Sequence, residues 1–506
     1  MAVRVRKNIW TLQPLTATPG TPWDPTVEWY ARAIRAMQAR PITSPTSWKY
    51  QAAIHAYDSG TPPNTEPMST LPPAAERARF WTQCQHNSWF FLPWHRIYLA
   101  FFEQIVATTV AGLGGPGDWA LPYWNYSDPN KPQTRSLPPA FYLAALPDGS
   151  PNPLLVPGRR TGANTGQIIA NAMHVDLSVC LADPVFTGQT GGNPGFGGPK
   201  TGFNHGGGFP AGKVEGTPHG SMHVRVSGFM GAFNSAGLDP LFWLHHCNID
   251  RLWEVWRKMS PSRKDPVDPA WLSQAFEFHD ANGVVVSQMP SQFQSITTAP
   301  LPYDYDDVSS PFPAPVGPAG GPTLAPAGVT VGTQKIPEMV GATAAPVVLT
   351  GRPATVQLAV DAPVGPASAA AGVALAPAAD LDAELYLNIE NITGSGEAEA
   401  YQVYVNVPSG DDPHTHPELF AGLLPMFGLK EASRAGGTHP GDGLHYSLGI
   451  GHIARHLQAQ GQWNPADVRL TFVPDVTAEG PSVAGGAASL APATPVRVGR
   501  VSIYVA

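Results

Sequence analysis

Sixteen histidines are spread along this chain, and the placement of six of them suits metal chemistry. In CQHNSWFFLPWHR, starting at Cys84, His86 and His95 flank an aromatic and apolar run, with a thiol two places before the first ring. A buried polar group without a partner costs about 1–3 kcal/mol, so rings set against such a wall need hydrogen bonds or a metal. His55 lies in WKYQAAIHAY. Further on, EGTPHGSMH places His219 and His223 four apart, and on a helix both rings leave one face. His245 and His246 follow in LFWLHHCNID. Helical neighbours point about 100° apart, so only one of that pair shares a site with His219 and His223. The outcome is two groups of three imidazoles.

Helices must converge to gather those rings, as in bundles that build dinuclear centres. TVEWYARAIRAMQAR has apolar residues at helical spacing and stops before Pro41. SPTSWKYQAAIHAYDSG reads as a capped helix ending at Gly60. PWHRIYLAFFEQIVATTVAG opens with Pro in its first turn and ends in Gly. DPLFWLHHCNIDRLWEVWRKMS has Asp239 as N-cap, Pro240 behind it and apolar residues on more than one face, so this helix is buried. Between the helices runs a long glycine-rich loop, TGGNPGFGGPKTGFNHGGGFPAGKVEG, whose length points to a functional role. After LPYDYDD comes a Pro/Ala/Gly tract that reads as a semi-rigid linker, and then alternating strands separated by turn residues. HIARH at 452–456 reads as surface helix and HTH at 414–416 as loop.

Ligand type narrows the metal. Imidazole-only sites suit copper, zinc, iron or nickel, whereas di-iron bundles use carboxylates and a Glu-x-x-His pair that is missing at these places. Zinc proteases need Glu directly after the first histidine of His-x-x-x-His, and Gly220 stands there. A pair of coppers remains the best assignment.

The 506 residues exceed one ordinary core, so two domains are expected. A net charge of −8 gives no reason to expect nucleic acid or an anionic membrane as partner. Three cysteines make no disulfide framework, which fits a reducing compartment or specialised thiol chemistry. The N-terminal MAVRVRKNIWTLQPL lacks a signal-peptide core, and no apolar run is long enough to span a bilayer. The expected location is cytoplasmic, though a precursor trimmed upstream would read the same. A homo-oligomer is left open.

Four stretches, CQHNSWFFLPWHRIYLAFFE, LPYWNY, EGTPHGSMH and DPLFWLHHCNIDRLWEVW, together resemble the two copper-binding signatures of the tyrosinase, polyphenol oxidase and hemocyanin family. The likeness runs from Arg6 to the YDY at 303–305, which resembles the Tyr-x-Tyr mark closing that family's catalytic core. YVNV, FAGLLPMFG, LGIGHIARHL, VRLTFVP and RVGRVSIYV resemble the C-terminal β-domain of plant-type polyphenol oxidases. The implied fold is α+β and multidomain. A mainly α-helical catalytic domain around a four-helix bundle holding a dicopper site spans 1–305, the linker 306–334, and an antiparallel β-sandwich that could cover the site 335–506.

Residue by residue, the resemblance implies that His55, His86 and His95 hold one copper and His219, His223 and His246 the second, with His245 a non-ligand neighbour. Cys84 stands where family members form a thioether to the histidine two places on, here His86. Asp250 and Asn248 stand where the family orients its ligands by outer hydrogen bonds. Glu215 matches a glutamate that positions water and helps take the phenolic proton. Gly220 replaces an Asn kept by efficient monophenol hydroxylases. Phe233 falls at the gate above the second copper, and Val224 adds apolar wall at the mouth. Leu424, Met426 and Phe427 are the side chains with which the C-terminal domain could plug that mouth. The implied cofactors are two copper ions, with O2 as co-substrate and small phenols as substrates. The implied reaction oxidises o-diphenols, and hydroxylates monophenols, to o-quinones. A hemocyanin-like oxygen carrier or an o-aminophenol oxidase would use the same site.

Overall fold

Helices begin where the sequence supplies an oxygen to cap them. Asp24 accepts from Thr26 N at 2.8 Å to start α1 (Pro25–Gln38), and Ser47 accepts from Tyr50 N at 3.2 Å to start α2 (Trp48–His55). The long helix α3 (Phe91–Gly112) starts inside the core, with Phe91, Trp94, Tyr98, Phe101 and Phe102 all buried. Ser88 closes its start: Phe90 N donates to Ser88 Oγ at 3.1 Å and Phe91 N to Ser88 O at 2.9 Å. A short α4 (Ser221–Val226) precedes α5 (Pro240–Lys258). Asp239 caps α5 through Leu241 N at 2.9 Å, and Arg159 grips the same carboxylate at 2.6 and 2.8 Å, both side chains fully buried.

The structure, a computed structural model, describes residues 3–13, 21–60, 62–312, 336–358, 360, 384–396, 398–436, 441–475 and 495–506. The expected linker lies outside the described residues from 313 onward. No helix among the described residues is long and apolar enough to cross a membrane.

Two helical expectations need correction. The second helix ends at His55, not Gly60, because the backbone extends at Ala56 (φ −160, ψ 149). The segment after Trp81 then closes its end: Thr82 N and Gln83 N donate at 2.9 Å to the carbonyls of Ala53 and Ile54, and Cys84 N donates to His55 O at 3.3 Å. The stretch 215–223 is likewise not one helix. Glu215–Gly220 is an irregular helical turn with Thr217 extended (φ −135, ψ 123), and only from Ser221 does a regular helix run.

Strand β1 (Arg4–Arg6) pairs in parallel with β2 (Tyr303–Tyr305), joining the two ends of the helical domain. The C-terminal domain's strands are β3 (Glu338–Ala342), β4 (Val347–Leu349), β5 (Ala354–Leu358), β6 (Leu385–Gly394), β7 (Tyr401–Val405), β8 (Phe420–Leu424), β9 (Leu444–Gly449), β10 (Val468–Pro474) and β11 (Val496–Val505). One antiparallel sheet runs β9-β6-β11-β3 with β4 also on β11, and the other runs β8-β7-β10-β5. Register places Leu387 opposite Ile503 and Val403 opposite Phe472. These four side chains, from both sheets, are buried in one core, as in a sandwich.

The two halves are docked. His174 Nε2 lies 2.5 Å from Asp475 Oδ2, Arg160 pairs with Glu399 at 3.0 Å, and Ser447 Oγ donates to Gly192 O at 2.7 Å. Phe427, from the β-domain, is buried in the helical domain's core.

Candidate metal centre

Each imidazole arrives on its own element. His55 is the last residue of α2, His86 sits on the irregular strap before α3, and His95 is in the first turns of α3. His219 belongs to the irregular turn, His223 to α4, and His245 and His246 to α5. His55, His86 and His95 form a triangle with ring centroids 5.2 to 5.7 Å apart. His219, His223 and His246 form a second, at 4.6 to 5.6 Å. The triangles meet where His95 and His246 stack at 4.4 Å, 11° between planes.

The hydrogen bonds orient the rings inward. Nδ1 of His55, His95, His219 and His223 lies 3.1, 2.8, 3.0 and 2.7 Å from the carbonyls of Phe233, Phe91, Glu215 and Met230. A carbonyl only accepts, so Nδ1 carries the proton and Nε2 presents a lone pair. Among the described residues, Nε2 of His95 and His219, both nitrogens of His86 and Nδ1 of His246 are buried without a hydrogen-bond partner. His223 Nε2 and His246 Nε2 converge to 3.4 Å. Orphaned ring nitrogens at this density are costly, and a metal in each triangle would take one lone pair from each ring. Burial pushes His86, His219, His223 and His246 well below the usual imidazole pKa and His95 to about 3, which keeps them in the neutral form that ligates. The donor set therefore fits a pair of imidazole-bound ions.

His245 departs from expectation. Its ring is not turned away: it lies 5.4 Å from His219 and 4.9 Å from His223, and its ligand atom falls within 4.8 Å of those of His219, His223 and His246. Helix α5 passes alongside the cluster, so two successive side chains straddle it. Tyr126 OH holds His245 Nδ1 at 3.0 Å. His246, by contrast, reaches across to His95.

Asp250 also differs. Among the described residues its hydrogen bonds reach no imidazole; Arg96 Nε donates to it at 2.5 Å, Arg6 Nη1 at 3.4 Å, and the hydroxyls of Tyr303 and Tyr305 at 2.6 Å each. Burial opposes its charge, but Arg96 and Arg6 hold its pKa below the usual carboxylate range. It ties α5 to α3 and to both Tyr-x-Tyr rings. Asn248 Oδ1 accepts from Arg251 Nε at 3.0 Å.

Cys84 is a buried thiol whose ionisation is pushed up by burial, and its ligand atom lies within 4.8 Å of those of His55 and His86. Its polar neighbour is His205, with Nδ1 3.2 Å from Sγ and 2.8 Å from Cys84 O. Glu215 is buried, and both carboxyl oxygens accept from Asn87 N, at 2.9 and 3.0 Å. Burial lifts its pKa to about 8, against the pull of the Asn87 N–H. A Cβ at Gly220 would meet Pro425 Cβ at 3.3 Å, so the β-domain fills the space beside it. Phe233 stacks on His86 at 4.7 Å, and Val224 is buried. Of the three plug candidates, Leu424 and Met426 face the β-domain's core, while Phe427 stacks on His223 at 3.9 Å and meets Phe233 edge-on at 4.6 Å. His205, Tyr126 and Asn204 were missed by sequence reasoning. Only the length of the glycine-rich loop signalled two of them.

The profile described as the common central domain of tyrosinase matches residues 45–174 and 159–259, and one described as a domain of unknown function matches 336–506. The tyrosinase HcTyr1 of Hahella sp. (strain CCB-MM4) is 33% identical over 486 residues, 93% of this chain and 95% of that protein. The chain belongs to the tyrosinase family. The Malus domestica protein named polyphenol oxidase, chloroplastic, is 30% identical over 312 residues, 56% of this chain but 46% of its own length. A latent apple tyrosinase shares the fold across both domains, with a TM-score of 0.57 at 23% identity, covering 100% of this chain and 98% of that one. As a tyrosinase-family protein with imidazole triangles fitting copper, the chain is a copper oxidoreductase.

Proposed function

We propose that this tyrosinase-family enzyme oxidises o-diphenols to o-quinones with O2, hydroxylates monophenols less readily, and stands closed by its own β-domain. His55, His86 and His95 would hold one copper and His219, His223 and His246 the other. A copper pair supplies reversible two-electron exchange with O2.

The protein's own work is to pin the imidazoles, admit the phenol and take its proton. Four backbone carbonyls hold the ligand tautomers in advance, so little reorganisation is needed. Glu215 is the proton acceptor: its carboxyl is fixed by Asn87 N–H and its own carbonyl holds His219. Phe233 offers a ring face to an incoming phenol once Phe427 has left. Gly220 supplies no side-chain amide to help orient a water beside Glu215, which favours diphenols over monophenols.

The carrying observation is the pair of inward-facing imidazole triangles. Copper content together with oxygen uptake on catechol and tyramine tests the reading. It fails if chain holding two coppers, with Phe427 replaced by Ala, consumes no oxygen with either phenol. The buried Phe427 favours a second reading, an oxygen carrier, which predicts oxygenation reversed by degassing and no catechol turnover in that same variant.

A further inference from the structure

The ligand-bearing strap, residues 84–89, is neither helix nor sheet, yet it holds the His86 ring stacked on Phe233 with centroids 4.7 Å apart. Four of the other imidazoles are locked through Nδ1, and His246 rides on the rigid α5. His86 has neither aid, since neither of its ring nitrogens has a hydrogen-bond partner among the described residues. Its backbone must therefore be fixed from outside.

The glycine-rich loop does this. His86 and His205 form a parallel bridge, and Trp89 N donates to Pro199 O at 2.8 Å. At its centre is Asn204, only 7% exposed. His86 N donates to Asn204 O at 3.0 Å, and Asn204 N donates to Gln85 Oε1 at 2.9 Å. The Asn204 side-chain amide donates back to His86 O at 2.9 Å, to Gly207 O at 3.2 Å and to Asn87 O at 3.3 Å. Asn87 in turn bends through a left-handed φ of 51° and offers its N–H to Glu215. One amide thus sets the residue that carries a ring of the first triangle and the residue that holds the proton acceptor.

We propose that Asn204 is a positioning residue for the first metal site, acting through the backbone of His86 where the other ligands are held at Nδ1. This rests on the dicopper reading above. Partners that orient a ligating side chain directly are worth about 10–100-fold in metal affinity, and fixing the ligand's backbone is expected to act on that scale.

The test is a copper titration against a competing chelator, with the visible spectrum of the cobalt(II)-substituted protein as a second readout. Asn204→Ala is compared with Asn152→Ala. Asn152 is also a buried amide, donating to the carbonyls of Ala140 and Leu143 at 2.7 Å each, but it touches no ligand segment. Asn204→Ala is expected to weaken one of two coppers about 10–100-fold, leave the other unchanged, and alter the cobalt spectrum. Asn152→Ala should bind both as the parent does, even with its metal-free melting point lowered to a similar degree. If Asn204→Ala does not fold, Asn204→Asp, which keeps the shape and loses the donors, carries the same expectation. Unchanged affinity at both sites, or equal loss in the Asn204 and Asn152 variants, overturns the proposal. A parent chain that binds no copper instead overturns the dicopper reading itself.

Discussion

The Phe427 ring lies face to face with the His223 imidazole, centroids 3.9 Å apart and planes 15° apart. In the proposed reading, it occupies the place from which a phenol would approach that triangle. The strap carrying it is shaped to fit: Met426 and Gly428 both take left-handed φ, 65° and 73°, and a Cβ at Gly428 would sit 2.4 Å from the Phe233 ring. A side chain at 428 and a docked strap are therefore incompatible.

Phe427→Ala should open the site. Removing a buried aromatic costs about 3–5 kcal/mol in a tight core. Even about 1.4 kcal/mol of lost docking raises the open fraction tenfold, so oxygen uptake with catechol should rise about tenfold or more. Gly428→Ala should act in the same direction. Steady-state oxygen uptake at equal copper content checks both.

Docking should weaken in acid. Asn171 N donates to His174 Nδ1 at 3.0 Å, so His174 is neutral and gives its Nε2 proton to Asp475. Burial lowers the His174 pKa, and the His174 and Gln402 hydrogen bonds help hold Asp475 low despite its own burial. For a depressed pKa the stabilisation is complete above the unfolded value and is lost as pH falls through the folded one. Domain docking should thus be intact above about pH 6.5, loosen first as His174 takes a proton, and fail once Asp475 does. The melting temperature followed against pH should show this, and Asp475→Asn should lower the neutral-pH value and flatten the acid limb.

Glu215→Gln keeps the shape and an oxygen to accept from Asn87 N, but removes the base. We expect kcat for catechol in the opened Phe427→Ala background to fall about 10²–10⁴-fold with copper content unchanged. Loss of copper along with rate would assign Glu215 a structural role instead.

His245→Ala and His246→Ala separate two neighbours that the geometry brings equally near the second triangle. Removing His246 should cost a bound copper, while removing His245 should leave two, because it is His246 that stacks on His95 where the two triangles meet. Elemental analysis of reconstituted protein reads this directly.

A thioether between Cys84 and His86 would show as a mass deficit of about two hydrogens after copper loading in air, absent in Cys84→Ser. Three titratable thiols in the unfolded, copper-loaded chain would exclude it.

Much of this molecule is written locally. Helix starts depend on one residue and its near neighbours, so Asp239 was legible as a cap and the helix behind Ser47 as a capped one, while Asp24 shows its role only in the structure. Alternation in the last strands and a grouping of six imidazoles by threes followed from spacing and residue type, whereas the choice of His246 over His245 came from the family resemblance. What spacing could not carry was set by residues far apart in the chain. The second helix stops at His55 because residues 82–84 close its carbonyls. Asp250 turns to Arg96 and Arg6 because those guanidiniums are buried beside it. His86 is held by Asn204, and Phe427 rather than Leu424 enters the site because the turn after β8 points it out of its own domain. A residue's type limits which partners it can satisfy, but only the packed chain decides which of them arrives.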